Sequence, residues 1–219
     1  IGDRAFHTSP EIIVHLANAL IRGMNYAGME AVGKHFPGHG SVEGDSHHVM
    51  PFDKRALSTI ETHDLLPFRQ VINTHLTGIM MAHVIYEQVD KLPAGFSSYW
   101  IKQVLRDQLN FDGIVFSDDL SMSGAEYAGS YAERARLSLK AGCDMLLVCN
   151  NPEGADEVLS YLQGYNNPVS QLRLVRLHGR PGKRIKKLFD SQLWKDSIVS
   201  LHKFMHDSAL TATDDLFSP

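Results

Sequence analysis

Residues 34–48, KHFPGHGSVEGDSHH, hold an unusual concentration of groups that could do chemistry. Four of the chain's 12 histidines fall in this segment, together with three glycines and one aspartate. Glycine and proline disfavour a helix, so we expect the segment to be a loop. Three uses of its imidazoles are open: a metal site, an acid/base loop, or an inert polar turn.

A metal site would begin with His35 and His39, which are four residues apart. Pro37 and Gly38 stand between them and prevent the helical turn that would aim both rings at one ion. Zinc sites hold several ligands on a rigid frame, which this glycine-rich segment does not offer. The sequence therefore favours a metal site least. The remaining candidate ligands would be Asp45, His47 and His48.

An acid/base role rests on Asp45-Ser46-His47, where a carboxylate stands two residues from an imidazole. A carboxylate so placed fixes the tautomer of the ring and raises the basicity of its other nitrogen. Neighbouring glycines would let the loop move over a substrate. The alternative is a polar turn in which Asp45 caps backbone groups, and spacing alone slightly favours that alternative.

Asp118 and Asp119 follow the apolar run GIVFS. Two carboxylates at the end of an apolar strand are costly unless they are hydrated or used. They could also merely cap the next turn. Both faces of a barrel strand are covered, so the alternation of side chains does not choose between the two aspartates.

Helical and extended signals alternate along the chain, which predicts an α/β protein. The four predicted strands are apolar along their length, as in a parallel sheet covered on both faces. Polar residues follow the strand ends, as a TIM barrel or a doubly wound sheet requires. No GxGxxG or P-loop motif accompanies a strand, which argues against a nucleotide-binding site. The predicted strands are 31–36, 77–86, 113–120 and 145–150, and the predicted helices are 9–22, 57–73, 97–110, 131–141 and one from 151.

Four strands cannot close an eight-stranded barrel. We therefore predict a (β/α)8 TIM-barrel type of fold, of which this chain covers roughly the last four βα units. Residues 1–165 would form the C-terminal half of the catalytic barrel, and 166–219 a helical extension packed on it. The chain begins at Ile1 in IGDRAF, which indicates a processed or partial chain.

The composition and net charge limit the classes of partner that the sequence predicts. The chain has 219 residues, of which 43% are hydrophobic and 21% charged, as in a globular protein. A net charge of -4 predicts neither a nucleic-acid nor a membrane partner. Residues 173–187 hold seven of the 21 Lys and Arg residues, and we expect them to be a solvated helix face. Cys143 and Cys149 would lie about 20 Å apart on one strand, too far for a disulfide. Two free, buried thiols suit a reducing cytoplasm.

Several motifs occur in an order that resembles the glycoside hydrolase family 3 β-N-acetylglucosaminidases. They are KHFPGHG, DSH, AHVIY, FDGIVFSDDLSM, GSYAERA and AGCDMLLVCNN. More narrowly, they are similar to the cytoplasmic bacterial members of peptidoglycan recycling. The resemblance runs from IGDRAF to about Asn151 and weakens through the tail.

The resemblance implies roles for individual residues. Asp118, the first aspartate of FSDD, would be the catalytic nucleophile. Asp45 and His47 of DSH would form a dyad in which His47 is the general acid/base. Three basic residues would bind the sugar, namely Arg4 of IGDR and Lys34 and His35 of KHF. His83 either lines the pocket or is a core histidine.

The activity so implied is that of a retaining exo-glycosidase, without metal or cofactor, that works through a glycosyl-aspartate. Its substrates would be N-acetylglucosaminyl-1,6-anhydro-N-acetylmuramic acid and its peptide-bearing forms. Full-length members carry four further strands upstream, so the expected partner is the missing N-terminal half of the barrel. The alternatives are an inactive half-barrel fragment and a metal-dependent hydrolase that uses the histidine-rich loop.

Overall fold

The computed structural model describes residues 4–42, 50–74, 76–181 and 185–214. Asp45, His47 and His48 lie outside the described residues, so the predictions for them stay predictions. The chain forms two compact units, Ile1–Gly179 and Arg180–Pro219. The predicted division after residue 165 also stays a prediction.

Strands and helices alternate through the first unit. Its strands are β1 (Val32–Phe36), β2 (Phe52–Asp53), β3 (Gly78–Met81), β4 (Ile85–Tyr86), β5 (Ile114–Asp119) and β6 (Met145–Leu147). Its α-helices are α1 (Pro10–Tyr26), α2 (Leu57–Thr62), α3 (Leu65–Val71), α4 (Ser123–Glu126), α5 (Tyr131–Ala141), α6 (Pro152–Tyr161) and α7 (Pro168–Leu174). A π-helix spans Tyr99–Gln108.

The main sheet is parallel, as predicted, and has the strand order β1-β3-β5-β6. Val32 pairs with Gly78, Gly78 with Ile114, and Phe116 with Met145. Each of these strands lies beside the next one along the chain, as in a barrel, whereas a doubly wound sheet reverses its order. Within the described residues the sheet is open, with β1 and β6 at its edges.

Several local signals place the helices as predicted. The Ser9 hydroxyl accepts from the amide of Ile12 at the start of α1, and the Ser130 hydroxyl accepts from that of Glu133 at the start of α5. Asn151 caps α6 through its side-chain oxygen. Gly142 ends α5 with φ 122°, in a region that favours glycine.

Two predicted elements are each divided into two in the structure. The helix predicted for 57–73 breaks between α2 and α3, where the Asp64 carboxylate turns back to bind Arg55. The strand predicted for 77–86 splits into β3 and β4, because the chain leaves the main sheet at His83 and β4 pairs with β2. Both breaks are made by partners distant in sequence.

Both cysteines are free, as predicted, but only one is buried. β6 ends at Leu147, so Cys149 lies in the exposed loop that follows. The prediction that both thiols are buried is therefore wrong for Cys149. Cys143 is buried, and burial raises the pKa of its thiol well above its usual range.

An ion-pair cluster joins the amino end of the sheet to α7. The Asp144 carboxylate accepts from the Arg106 guanidinium at 2.8 Å, from the Arg173 guanidinium at 3.1 Å and from the Ser170 hydroxyl at 2.6 Å. It also accepts from the backbone amide of Val115, near the start of β5, at 3.0 Å. Because the carboxylate is 2% exposed, these four donors are needed to compensate its desolvation.

The second unit contains helices α8 (Ile185–Phe189) and α9 (Gln192–Asp214). The rings of Phe189 and Trp194 meet edge to face, with 5.0 Å between their centroids. In the part of the chain that the structure describes, no helix is both long and apolar enough to cross a membrane.

Candidate active site

Asp118 is the penultimate residue of β5, at the carboxyl edge of the main sheet, and its side chain is buried. Its Oδ1 accepts a hydrogen bond of 2.9 Å from the amide of Asp119. Its Oδ2 lies 3.7 Å from Nε2 of His35, which is beyond hydrogen-bonding distance. One carboxylate oxygen is thus held by the backbone, while the other faces an imidazole that does not bond it.

Asp119 has a different task. Its Oδ1 accepts from the amides of Ser121 and Cys149, both at 2.9 Å, and its Oδ2 accepts from the Ser121 hydroxyl at 2.7 Å. These bonds fasten the end of β5 to the chain that follows β6. The geometry therefore distinguishes the two aspartates, because both oxygens of Asp119 are bound within the fold, whereas Asp118 accepts a hydrogen bond at only one oxygen among the described residues.

His35 is neutral at pH 7. The pKa of its imidazole is lowered from 6.5 to about 4, chiefly by burial and also by Lys34, His39 and Arg4, against the opposing effect of Asp118. The side chain is 9% exposed, and its Nδ1 is buried without a hydrogen-bond partner among the described residues. A buried, unsatisfied ring nitrogen is costly, so a ligand that bonds it would remove a penalty.

Four of the predicted site residues are brought together in this corner. Lys34 and Arg4 are exposed, and both affect the pKa of His35 through their charge, which places them near its ring. The corner thus combines a buried carboxylate, a neutral imidazole and two cations. Such a set can bind the hydroxyl groups of a sugar beside a carboxylate nucleophile.

His39 is part of the same corner, although the sequence singled it out only as a metal ligand. Its buried ring lies edge to face with the ring of His35, with 5.9 Å between the centroids. Among the described residues, no group of three or more His, Cys, Asp or Glu side chains could hold a metal ion. The other candidate ligands lie outside those residues, so the metal-site alternative is untested.

His83 is a core histidine. It is fully buried, and its Nε2 lies 3.2 Å from the carbonyl oxygen of Asp119. A carbonyl only accepts, so Nε2 carries the proton, and burial lowers the pKa of the ring and keeps it neutral. His83 therefore supports the backbone next to Asp118 instead of lining a pocket.

Arg55 and Tyr86 hold described residues on either side of Asp45 and His47 in the sequence. The guanidinium of Arg55 binds Asp64 through two bonds of 2.8 and 3.0 Å and also binds Asp53. Tyr86 donates its hydroxyl hydrogen to the carbonyl of Gly38. A Cβ at Gly38 would lie 2.5 Å from Cβ of Asp64, so only glycine fits this close approach. Gly38 and Asp53 are thereby held by neighbouring side chains, because Asp64 packs against Gly38 and is joined to Asp53 through Arg55.

The low pKa of His35 predicts a pH dependence of stability. Between pH 6.5 and about 4 the unfolded chain binds a proton at this ring and the folded chain does not. The contribution of His35 to the free energy of unfolding should therefore be fully present above pH 6.5. It should fall as the pH drops, by up to about 1.4 kcal/mol per pH unit within this window. We expect His35→Gln to lose less free energy of unfolding than the wild type between pH 7 and pH 4.5, measured by urea titration.

The matched control is His15→Gln, which changes an exposed histidine on α1. This variant should follow the wild-type pH dependence, since both retain His35. The lowered pKa of His83 affects the pH dependence of stability in the same direction in all three proteins, so its effect cancels when they are compared. Equal losses in the His35→Gln variant and the wild type would show that His35 is not buried in its neutral form.

Comparisons with known proteins agree on one family. The family model described as the glycosyl hydrolase family 3 N-terminal domain matches residues 1–176. A beta-hexosaminidase of Thioalkalivibrio sulfidiphilus is 53% identical over 214 residues, which are 98% of this chain and 61% of that protein. The crystal structure of NagZ from Neisseria gonorrhoeae in complex with N-trifluoroacetyl-D-glucosamine is 43% identical, with a TM-score of 0.79. That match covers 90% of this chain and 56% of the other.

A further structure of the Neisseria gonorrhoeae protein, in complex with a zinc ion, is 41% identical with a TM-score of 0.77, and covers 90% of this chain and 56% of that one. The chain spans about half to three fifths of the length of the curated relatives that it matches, for example 61%, 57% and 50%. The likeness therefore concerns one part of these proteins.

Proposed function

Because the chain belongs to the glycosyl hydrolase family 3 N-terminal domain family, we propose that it forms the second half of the catalytic barrel of a retaining exo-β-N-acetylglucosaminidase. The substrates are peptidoglycan-derived N-acetylglucosaminyl-1,6-anhydro-N-acetylmuramic acid and its peptides, cleaved in the cytoplasm during cell-wall recycling. The names of the relatives support the reaction class, since they include beta-hexosaminidases and a protein bound to an N-acylated glucosamine analogue.

The observation that carries the proposal is the environment of Asp118. Its carboxylate is buried at the carboxyl end of a barrel strand, with one oxygen held by a backbone amide and the other only 3.7 Å from a neutral imidazole. Catalytic groups of TIM barrels lie at this end of the strands. A carboxylate so placed is desolvated, oriented and not consumed by an ion pair, as a nucleophile should be.

The reaction has two steps. In the first, Oδ2 of Asp118 attacks the anomeric carbon, the bond to the leaving oxygen breaks, and His47 gives that oxygen its proton. In the second, His47 takes a proton from water, the water attacks the same carbon, and Asp118 is released as a carboxylate. Two inversions leave the anomeric configuration unchanged. Asp45 orients His47 and stabilises its protonated form.

The remaining residues of the corner hold the sugar. Arg4 and Lys34 donate to hydroxyl groups of the non-reducing sugar, and the neutral His35 gives or accepts one hydrogen bond. Because His35 is uncharged at pH 7, it does not form an ion pair with Asp118, so the nucleophile keeps its negative charge available for attack.

The other half of the barrel is the partner that the open sheet needs. On α1, Ile12, Leu16 and Leu20 are 40%, 43% and 51% exposed. The strand that follows α1 along the chain, β1, is an edge strand of the main sheet within the described residues. An exposed apolar helix face and an unpaired strand edge are both expected to be covered, and the greater length of the relatives supports a further segment as the cover.

Complementation tests this function. The full-length protein should hydrolyse a chromogenic N-acetyl-β-glucosaminide, whereas residues 1–219 alone should hydrolyse it at least about a hundredfold more slowly, because part of the sugar site is absent. Adding back the N-terminal half should restore turnover. A full-length protein that is folded, confirmed by intact mass, and inactive toward every aminosugar glycoside would overturn the proposal.

The same assay with EDTA addresses the metal-dependent hydrolase, which is favoured by the zinc ion in one relative's structure. We expect the activity of the full-length protein to be unchanged by EDTA. An EDTA-sensitive activity that zinc restores would instead support a metal-dependent hydrolase.

A further inference from the structure

His83 fills a buried space in a way that packing alone does not explain. Its ring is fully buried and lies beside the ring of Phe96, with 5.5 Å between the centroids. A Cβ added at Gly95 would lie 3.4 Å from its Nδ1, so the ring also packs against that backbone. Nδ1 has no hydrogen-bond partner among the described residues. Burying an unpaired polar atom is costly, and an apolar side chain of similar size would avoid the cost, so we looked for a use of the other ring nitrogen.

Nε2 of His83 binds the residue that holds Asp118. It donates to the carbonyl oxygen of Asp119 at 3.2 Å, and the amide of Asp119 donates to Oδ1 of Asp118 at 2.9 Å. Asp119 is the last residue of β5. In an extended strand the amide and the carbonyl of one residue point to the same side, so a partner that fixes the direction of the carbonyl also fixes that of the amide. His83 thus acts on the direction from which the backbone holds the carboxylate.

The carbonyl of Asp119 has a second donor, the amide of Met122, at 3.2 Å. A carbonyl oxygen has two lone pairs and can accept both bonds. The two donors differ in where they are anchored. Met122 belongs to the same turn as the carbonyl and moves with it, whereas His83 lies two residues after the end of β3, the neighbouring strand of the main sheet. Of these two bonds, the one from His83 therefore ties the end of β5 to the rest of the sheet.

The other oxygen of Asp118 is left toward the candidate sugar site. Oδ2 lies 3.7 Å from Nε2 of His35 on β1, beyond hydrogen-bonding distance. Burial is the largest cause of the lowered pKa of His83, and the charge of Asp118 is the largest effect that opposes it, as expected for a ring close to the carboxylate. A backbone that holds Oδ1 in one direction determines where Oδ2 points.

We propose that His83 is a positioning residue for the nucleophile: by holding the carbonyl of Asp119, it keeps the amide of that residue on Oδ1 of Asp118 and presents Oδ2 to the anomeric carbon. His83 neither touches the sugar nor exchanges a proton in either step. This inference rests on the proposed function, because the direction of Oδ2 matters only if Asp118 attacks. A misplacement of about 1 Å can cost about 10²-fold in rate, and here the loss should fall on the attack itself.

Glutamine and methionine at position 83 separate the hydrogen bond from the bulk of the side chain. The two side chains have nearly equal length, but only glutamine carries an amide N–H group that can replace the Nε2–H group. In the full-length protein, we expect His83→Met to lower kcat/KM about 10- to 50-fold and His83→Gln to stay within about threefold of the wild type. The loss in His83→Met should be equal for N,N'-diacetylchitobiose and for a dinitrophenyl N-acetyl-β-glucosaminide, because attack by Asp118 is needed whether or not the leaving group requires a proton.

A trapping experiment separates the rate of attack from the fraction of folded protein. A fluorinated aminosugar that forms a stable glycosyl-enzyme gives the reactive fraction from intact mass and the rate constant of attack from its time course. We expect His83→Met to reach the wild-type stoichiometry about 10- to 50-fold more slowly. The control is Ser138→Ala on α5, which removes a buried hydroxyl oxygen without a partner among the described residues and should leave the trapping rate constant unchanged.

The outcomes distinguish this role from a role in the fold and from the function itself. Trapping of His83→Met at the wild-type rate, or a loss in His83→Gln as large as in His83→Met, would overturn the positioning role while the glycosidase function stands. A lower stoichiometry with an unchanged rate constant would assign His83 to the fold alone. His83→Leu is a second apolar variant, and if neither apolar variant folds, the bond serves the fold and the proposal is overturned. A wild type that is neither active on aminosugar glycosides nor trapped would overturn the function and, with it, this inference.

Discussion

Asp118→Ala is expected to lower kcat on N-acetyl-β-glucosaminides by at least about 10⁴-fold, because it removes the atom that bonds to the sugar. This loss corresponds to about 5.4 kcal/mol of transition-state stabilisation. KM should change far less, since Arg4, Lys34 and His35 remain to hold the sugar. The comparison should be made in the full-length protein, with circular dichroism to establish that the variant is folded.

Chemical rescue distinguishes a lost nucleophile from a damaged fold. Azide is small enough to occupy the space left by the carboxylate, and its direct attack would give a glycosyl azide of inverted configuration. Asp107→Ala, which changes an exposed aspartate on the π-helix, should keep wild-type turnover. Near-wild-type activity in Asp118→Ala, or a fluorinated aminosugar trapped on a peptide that lacks Asp118, would refute the assignment.

His47→Ala is expected to have the second largest effect, and its size should depend on the leaving group. Sugars and alkyl alcohols leave only when protonated, so kcat/KM for them should fall about 10²- to 10⁴-fold. Dinitrophenol leaves as a stable anion, so the first step with a dinitrophenyl glycoside should be slowed less than about tenfold. A plot of log(kcat/KM) against leaving-group pKa should therefore become steeper in the variant.

The neighbouring imidazole provides the matched control, because His48→Ala removes an identical group one residue away. That variant should keep the wild-type dependence on leaving-group pKa. The basic limb of the pH profile should also disappear in His47→Ala, since the limb reports deprotonation of the acid. Equal losses on sugar and dinitrophenyl leaving groups would exclude His47 as the proton donor.

Much of the architecture could be predicted because its signals are local. Ser9, Ser130 and Asn151 each accept a hydrogen bond from an amide three residues away, so the helix starts can be predicted from short stretches of sequence. The apolar runs likewise predict a parallel sheet, since burial on both faces removes the alternation of an exposed strand. The resemblance to one family then selects the barrel and its nucleophile.

The rest depends on contacts that no local pattern encodes. The alternation of side chains does not distinguish Asp118 from Asp119, and one of the bonds that occupy Asp119 comes from the amide of Cys149, 30 residues away. Arg55 breaks a predicted helix by binding Asp64. The burial of His83 beneath the carbonyl of Asp119 likewise requires two strands to meet first. Such long-range partners become visible only when the fold has brought them together.

The Asp144 cluster has a consequence for how this domain can change. The amide that Asp144 binds belongs to Val115, three residues and about 10 Å along the strand from Asp118. Near its start, β5 is therefore fastened to α7 by the donors that surround Asp144, while Asp118, the proposed nucleophile, lies near its other end. We therefore expect substitutions in the Asp144 cluster to change the thermal stability of the domain without changing the reaction at Asp118.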